Sequence, residues 1–136
     1  MKAALLALLL FPVILLAEDK GEPLYRYQAG LVRVVDGDTV DFNVDLGFGV
    51  WLHEKRFRLL GIDAPEMRLA ERPAGAKSKA WLHDRLSNAE TIVIQSFDAK
   101  KVGRDSFGRW LVVIYADGVN VCEEMLKLGL AEPWRE

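Results

Sequence analysis

The amino-acid sequence predicts an α+β domain that is mainly β. Its expected form is a five-stranded OB-fold β-barrel, with a helix between strands 3 and 4 and a short C-terminal helix. Three observations predict it. Five short segments are rich in β-branched and aromatic residues, a helical pattern interrupts them after the third, and tight-turn residues join the first three into a meander. Five short strands in a small chain with a helix inserted after the third is the OB arrangement, and the inserted helix argues against a small β-sandwich.

Each element follows from its residues. "YRYQAGLVRVV" alternates and forms the first strand, and "DGD" at Asp36–Asp38 is a tight turn. "TVDFNVDL" is the second strand, with Val40, Phe42, Val44 and Leu46 on one face. "GFG" turns the chain into a long third strand, "VWLHEKRFRLLGI". From Pro73 to Asn88 the period changes, and Ala80, Trp81, Leu82 and Leu86 suggest a helix. "TIVIQSF" and "GRWLVVIYA" are the fourth and fifth strands, followed by a turn at Asp117–Gly118. "NVCEEMLKLG" reads as a short helix, with Asn120 as N-cap, Glu123 three residues on, and Gly129 as terminator.

Residues 1–17 stand apart. A basic start at Lys2, an uncharged apolar run from Ala3 to Ala17 and acidic residues at Glu18 and Asp19 have the build of an export signal. The run is short for a membrane span, which takes about 20 apolar residues. The expectation is an exported protein, secreted or periplasmic, whose single domain is residues 18–136. An uncleaved N-terminal membrane anchor is the alternative.

The net charge of −2 gives no general attraction to polyanions. The distribution is more informative, since acidic residues gather near the ends and basic ones in the middle, from Lys55 to Arg109. One cysteine, Cys122, excludes an intrachain disulfide and reads as a small packed residue. No Cys/His pair has zinc-ligand spacing.

The chemistry-bearing residues fall in two acidic clusters, Asp36, Asp38 and Asp41 around the first turn, and Asp63 and Glu66 around Pro65. Either cluster alone is ordinary turn chemistry. Brought together by a meander, they offer hard oxygen ligands for calcium or magnesium. Alternation places Arg58 on the face of Leu60 and Ile62, and an arginine among core residues needs an anionic partner. That partner is either one of these aspartates or a bound phosphate. "GRDSFGRW" is a hairpin loop with basic decoration.

The stretches "VVDGDTVDF", "FRLLGIDAPE", "DSFGRWLVVIYADG" and "LKLGLAEPW", in that order, resemble the staphylococcal nuclease family, over roughly Leu31 to Trp134. The resemblance implies an OB-fold enzyme that hydrolyses DNA and RNA with calcium and leaves 3′-phosphate ends. It implies no protein partner, and a monomer. Carried over residue by residue, Asp38 and Asp63 match metal carboxylates, and the backbone carbonyl of Ala64 matches the third protein ligand. Asp36 matches an acid that supports the metal through water. Glu66 matches the proposed general base, and Arg58 and Arg109 match the catalytic arginines. Phe107 stands where a substrate-binding tyrosine is usual, so ring stacking is kept and a hydroxyl contact is lost. The loop after Glu66 is shorter than usual, and the chain stops at Glu136, short of the further C-terminal helix of longer members. The alternative is a non-catalytic nucleic-acid-binding OB module, and membrane tethering is a third possibility.

Overall fold

A computed structural model describes residues Leu24–Arg135. The export or anchor segment 1–17 lies outside the described residues.

Five principal strands close a barrel. β1 (Arg26–Asp36), β2 (Thr39–Asp45) and β3 (Trp51–Leu59) form the antiparallel meander. β5 (Ile92–Gln95) and β6 (Trp110–Ala116) complete it, after the short β4 (Ile62–Asp63). β6 pairs with β5 and, in parallel, with β3, while β5 pairs back to the start of β1. β1 spans both sheets: Arg26–Gln28 face β5, and the ladder from Ala29 to Asp36 faces β2. This closed mixed barrel is the predicted OB fold.

Alternation decides what fills it. Val40, Phe42 and Val44 point inward from β2, Phe57 and Leu59 from β3, and Val112 and Ile114 from β6, all buried. Closing the barrel removes free sheet edges and gives every inner side chain a facing neighbour. α1 (Arg72–Ser87) packs against β1 and buries Gly75, Ser78, Leu82 and Leu86, one stripe at helical spacing. Trp81 is partly buried and packs against the core beside that stripe, while Ala80 is exposed.

The C-terminal end behaves as its residues suggest. After the two-residue β7 (Val119–Asn120), the Asn120 side chain accepts from the Glu123 N–H and caps α2 (Val121–Lys127). Gly129 takes φ 69°, and the Leu130 N–H returns to the Met125 carbonyl, closing the helix end. Cys122 is packed on α2, and burial pushes its thiol up to about 11, which suits a structural rather than a reactive residue.

The third strand is shorter than the sequence predicts. It ends at Leu59, Gly61 adopts φ 78°, and Ile62–Asp63 re-form as β4 against β8 (Glu132–Pro133). Trp134 N–H donates to the Gly61 carbonyl and ties down that break. The placement of Arg58 is corrected accordingly. The core face of β3 is Phe57 and Leu59, so Arg58 lies on the outer face. Ile62 is buried because the Leu60–Gly61 turn resets the alternation.

Candidate active site

Two acidic turns meet beside α1 because small residues let them. A Cβ on Gly37 would come within 2.7 Å of the Ala64 Cβ and 2.9 Å of the Ser78 Cβ. A Cβ on Gly75 would overlap the Glu66 carbonyl and stand 2.8 Å from the Pro65 oxygen. The "DGD" turn and the "DAPE" turn therefore both rest directly on the helix. Ser78 donates to the Leu130 carbonyl, which anchors the same helix face to the C-terminal segment.

Their side chains then form one connected network. Asp38 is buried, and its Oδ2 accepts from Arg58 Nη2 at 3.1 Å and from the Ala64 N–H at 3.0 Å. The same Arg58 nitrogen donates to Asp63 Oδ1 at 3.0 Å. Thr39, also buried, donates to Asp38 Oδ1 at 3.1 Å and accepts from Arg109 Nη1 at 3.2 Å. Arg109 is held from behind by Asp105, whose Oδ2 accepts from Nε at 2.6 Å. Asp105 also accepts the N–H groups of Phe107 and Arg109, an Asx-type turn that shapes the loop. Burial alone would raise the Asp105 carboxyl, but these bonds from Arg109 and Phe107 hold it below its usual value.

Asp36 lies at the edge of the network, accepting the Asp38 N–H at 3.2 Å. Burial, then the hydrogen bond and charge of Asp38, push its carboxyl above the usual value. Glu66 is exposed. Its N–H donates to Glu71 at 2.9 Å, and its carboxylate accepts no hydrogen bond among the described residues. Phe107 is exposed, with the Arg109 guanidinium 5.2 Å from its ring centroid.

Asp41 does not join this cluster, contrary to its grouping with the acidic residues of the first turn. Successive residues of a strand face opposite sides, and Asp41 is two positions beyond Thr39 along the outer face. There it is consumed by Arg33 and Arg56 at 2.8 to 3.1 Å.

The network's charge bears on a metal. Asp38 and Asp63 share the Arg58 guanidinium, while Asp36 meets them only by accepting the Asp38 N–H. Among the described residues no group of three or more His, Cys, Asp or Glu is set to hold a metal ion. Asp38 and Asp63, joined through Arg58, bring together carboxylate oxygens of the kind a hard cation takes.

The family model described as staphylococcal nuclease homologue matches residues 56–135. The chain belongs to the staphylococcal nuclease homologue family. The family match holds Arg58, Asp63, Ala64, Glu66, Phe107 and Arg109, while Asp36 and Asp38 precede it and reach it only through the fold. The chain is 30% identical over 129 residues to an uncharacterized protein of Methanocaldococcus jannaschii, covering 78% of this chain and 58% of that protein. Two probable staphylococcal-like nucleases of Oryza sativa subsp. japonica are 38% and 36% identical over 76 residues, 56% of this chain and 20% and 18% of theirs. The chain thus spans little more than half of the archaeal relative and about a fifth of the rice proteins.

Several members of this cluster are not singled out by the sequence reading. Thr39 was visible only as a strand residue, and Asp105 only as loop decoration. The signals were there: an Asp four residues before an Arg across a Gly turn, and a glycine at position 75 inside a helical pattern, where it costs about 1 kcal/mol against alanine.

Proposed function

We propose that this chain is a calcium-dependent phosphodiesterase acting on DNA and RNA as an endonuclease and leaving 3′-phosphate ends. One observation carries the reading: Arg58 joins Asp38 and Asp63 from two distant turns, and Thr39 links that group to Arg109. A structural ion pair needs no second arginine joined to it through Thr39.

The chemistry requires this combination. A phosphodiester's own charge repels nucleophiles, so the rate depends on offsetting the charge that builds on its oxygens. Asp38, Asp63 and the Ala64 carbonyl would hold a calcium ion, with Asp36 acting through water, and the ion would supply Lewis-acid charge stabilisation. Arg58 and Arg109 hold the nonbridging phosphoryl oxygens as planar, permanently charged donors. Glu66 takes a proton from the attacking water. The new bond is water oxygen to phosphorus, the phosphorus to 5′-oxygen bond breaks, and the departing 5′-oxygen takes a proton from solvent water, leaving a 3′-phosphate and a 5′-hydroxyl. Phe107 offers an exposed ring on which a base stacks. Pro65 restricts the turn between Asp63 and Glu66, so their separation is held as a unit.

The deciding experiment incubates the purified chain with plasmid DNA and with RNA, with and without calcium, and analyses the product ends. Cleavage that a chelator abolishes, with 3′-phosphate ends, is the expected result. Tight binding with no cleavage in any divalent cation would overturn it in favour of a non-catalytic binding module.

A further inference from the structure

The outer face of the β2–β3 hairpin continues away from the site. Val40, Phe42 and Val44 fill the barrel, so Thr39, Asp41, Asn43 and Asp45 face outward. Residues paired across an antiparallel ladder share a face. Thr39 pairs with Arg58, Asp41 with Arg56, and Asp45 with Trp51, and on the other side Asp41 pairs with Arg33. The face therefore runs from the Thr39–Arg58 row, through an Arg33–Asp41–Arg56 row and across a register shift between Phe42 and Val44 that turns Trp51 onto the same side, about 20 Å over six strand residues.

Each station is built and open. Asp41 is buried and takes both bonds of Arg56 and one of Arg33, which leaves the remaining N–H donors of two arginines free of that carboxylate. Their side chains are 64% and 45% exposed, beside a cavity of about 520 Å³ lined also by Val32 and Glu54. Trp51 stacks on His53, ring centroids 6.4 Å apart and 16° from parallel, and stays 47% exposed. The tip beyond is a turn closed by its own hydrogen bonds. Gly47, Phe48 and Gly49 all take positive φ, and Leu46, Gly47 and Val50 N–H groups are bonded within the turn. Phe48 and Val50 are presented to solvent on this turn.

We propose that this face is a binding track for single-stranded nucleic acid flanking the scissile phosphate, with Arg33 and Arg56 holding a neighbouring phosphate and the Trp51–His53 pair stacking a base. Arg33 and Arg56, balanced in charge by Asp41 and Glu54, keep guanidinium donors beyond those Asp41 takes, and donors for a phosphate beside an aromatic platform are chemistry that holds single strands without sequence preference. Trp51 sits directly opposite Asp45, and a carboxylate there disfavours a lipid interior. Glu54 also lines the arginine cavity, and its negative charge opposes a phosphate there, so neutralising it should tighten binding. The proposal rests on the nuclease reading, and its test separates the two.

Binding of a labelled single-stranded DNA of about 12 nucleotides, within the span of an OB-type site, is measured by anisotropy on the full chain with a chelator present. Arg33→Ala and Trp51→Ala should each weaken binding about tenfold, while Glu54→Gln strengthens it. Arg33→Ala should also reduce the slope of log affinity against log salt by about 0.7. With calcium, the ratio of kcat/KM for the oligonucleotide to that for a dinucleotide should fall about tenfold in both alanine variants. Arg33 is mostly exposed and Asp41 keeps both Arg56 bonds, so a small fall in melting temperature at most is expected, and it is measured beside the affinity. Unchanged affinity and an unchanged ratio in both alanine variants would overturn the track. So would a Trp51→Ala variant that loses binding to anionic phospholipid vesicles while its DNA affinity stays intact. A wild-type chain that cuts nothing sinks the nuclease reading, and the anisotropy series then judges the track alone.

Discussion

A single guanidinium nitrogen of Arg58 donates to Asp38 at 3.1 Å and to Asp63 at 3.0 Å, so one side chain holds two acidic turns together. The Asp38 half is the more consequential, because Asp38 is nearly buried whereas the Asp63 side chain is 62% exposed. Arg58→Ala leaves a buried carboxylate with two neutral donors. The expected cost is about 2 kcal/mol of unfolding free energy without calcium, followed by thermal melting. Calcium should recover more melting temperature in this variant than in the wild type. Turnover should fall by about 10² to 10³. Arg58→Lys keeps the charge but not the fork, and should rescue stability better than kcat.

Glu66 makes the cleanest separation of chemistry from folding. Its carboxylate is exposed and accepts no hydrogen bond among the described residues. Glu66→Gln should lower kcat by about 10² to 10⁴ with the melting temperature unchanged. Near-wild-type kcat would remove Glu66 from the mechanism.

Gly75 tests the approach of α1 to the acidic turn. Helix propensity alone says that Gly75→Ala stabilises by about 1 kcal/mol. The added Cβ, however, would overlap the Glu66 carbonyl and crowd the Pro65 oxygen, both backbone atoms that cannot step aside. The expected result is a loss of about 1 to 3 kcal/mol in denaturant unfolding, with lower kcat from a displaced Glu66.

Acid should destabilise the fold through the outer arginine row. The Arg56 hydrogen bond, offset in part by burial and aided by Arg33, holds the Asp41 carboxyl below its usual value of 3.8. A depressed folded value stabilises the protein fully above 3.8 and is lost as pH falls through the folded value. Asp105 is depressed in the same sense. Unfolding free energy measured with chelator present should thus drop below about pH 4, and Asp41→Asn should flatten that drop while lowering stability at neutral pH.

Export is a separate expectation with its own measurement. N-terminal sequencing of the protein from the medium or periplasm should begin at Glu18. An intact Met1 in the membrane fraction would favour the anchor.

Much of the fold was legible because short-range patterning carried it. The period of two in β2, the Asn120 cap with Glu123, and the Gly129 stop all depend on neighbours within a turn or a strand. The long third strand was misread because its alternation continues through "LLGI", and nothing local shows that Gly61 turns over and hands Ile62 to the C-terminal strand. The same slip put Arg58 on the wrong face. Grouping Asp41 with Asp36 and Asp38 failed for a related reason, since proximity in sequence is not proximity on a pleated strand.

By itself the sequence determined the strand alternation, the inserted helix, the caps, and which residue types were present for charge chemistry. Tertiary structure decided which of them meet. Asp38 touches Arg58 and Ala64 across gaps of 20 and 26 residues, and Arg109 reaches Thr39 across 70. Those contacts exist because β3 pairs in parallel with β6 to close the barrel, and because Gly37 and Gly75 let two turns lie on one helix. Short-range preferences act through a residue's own backbone and nearest neighbours. Convergence of distant side chains depends on register and close packing, which only the closed barrel supplies.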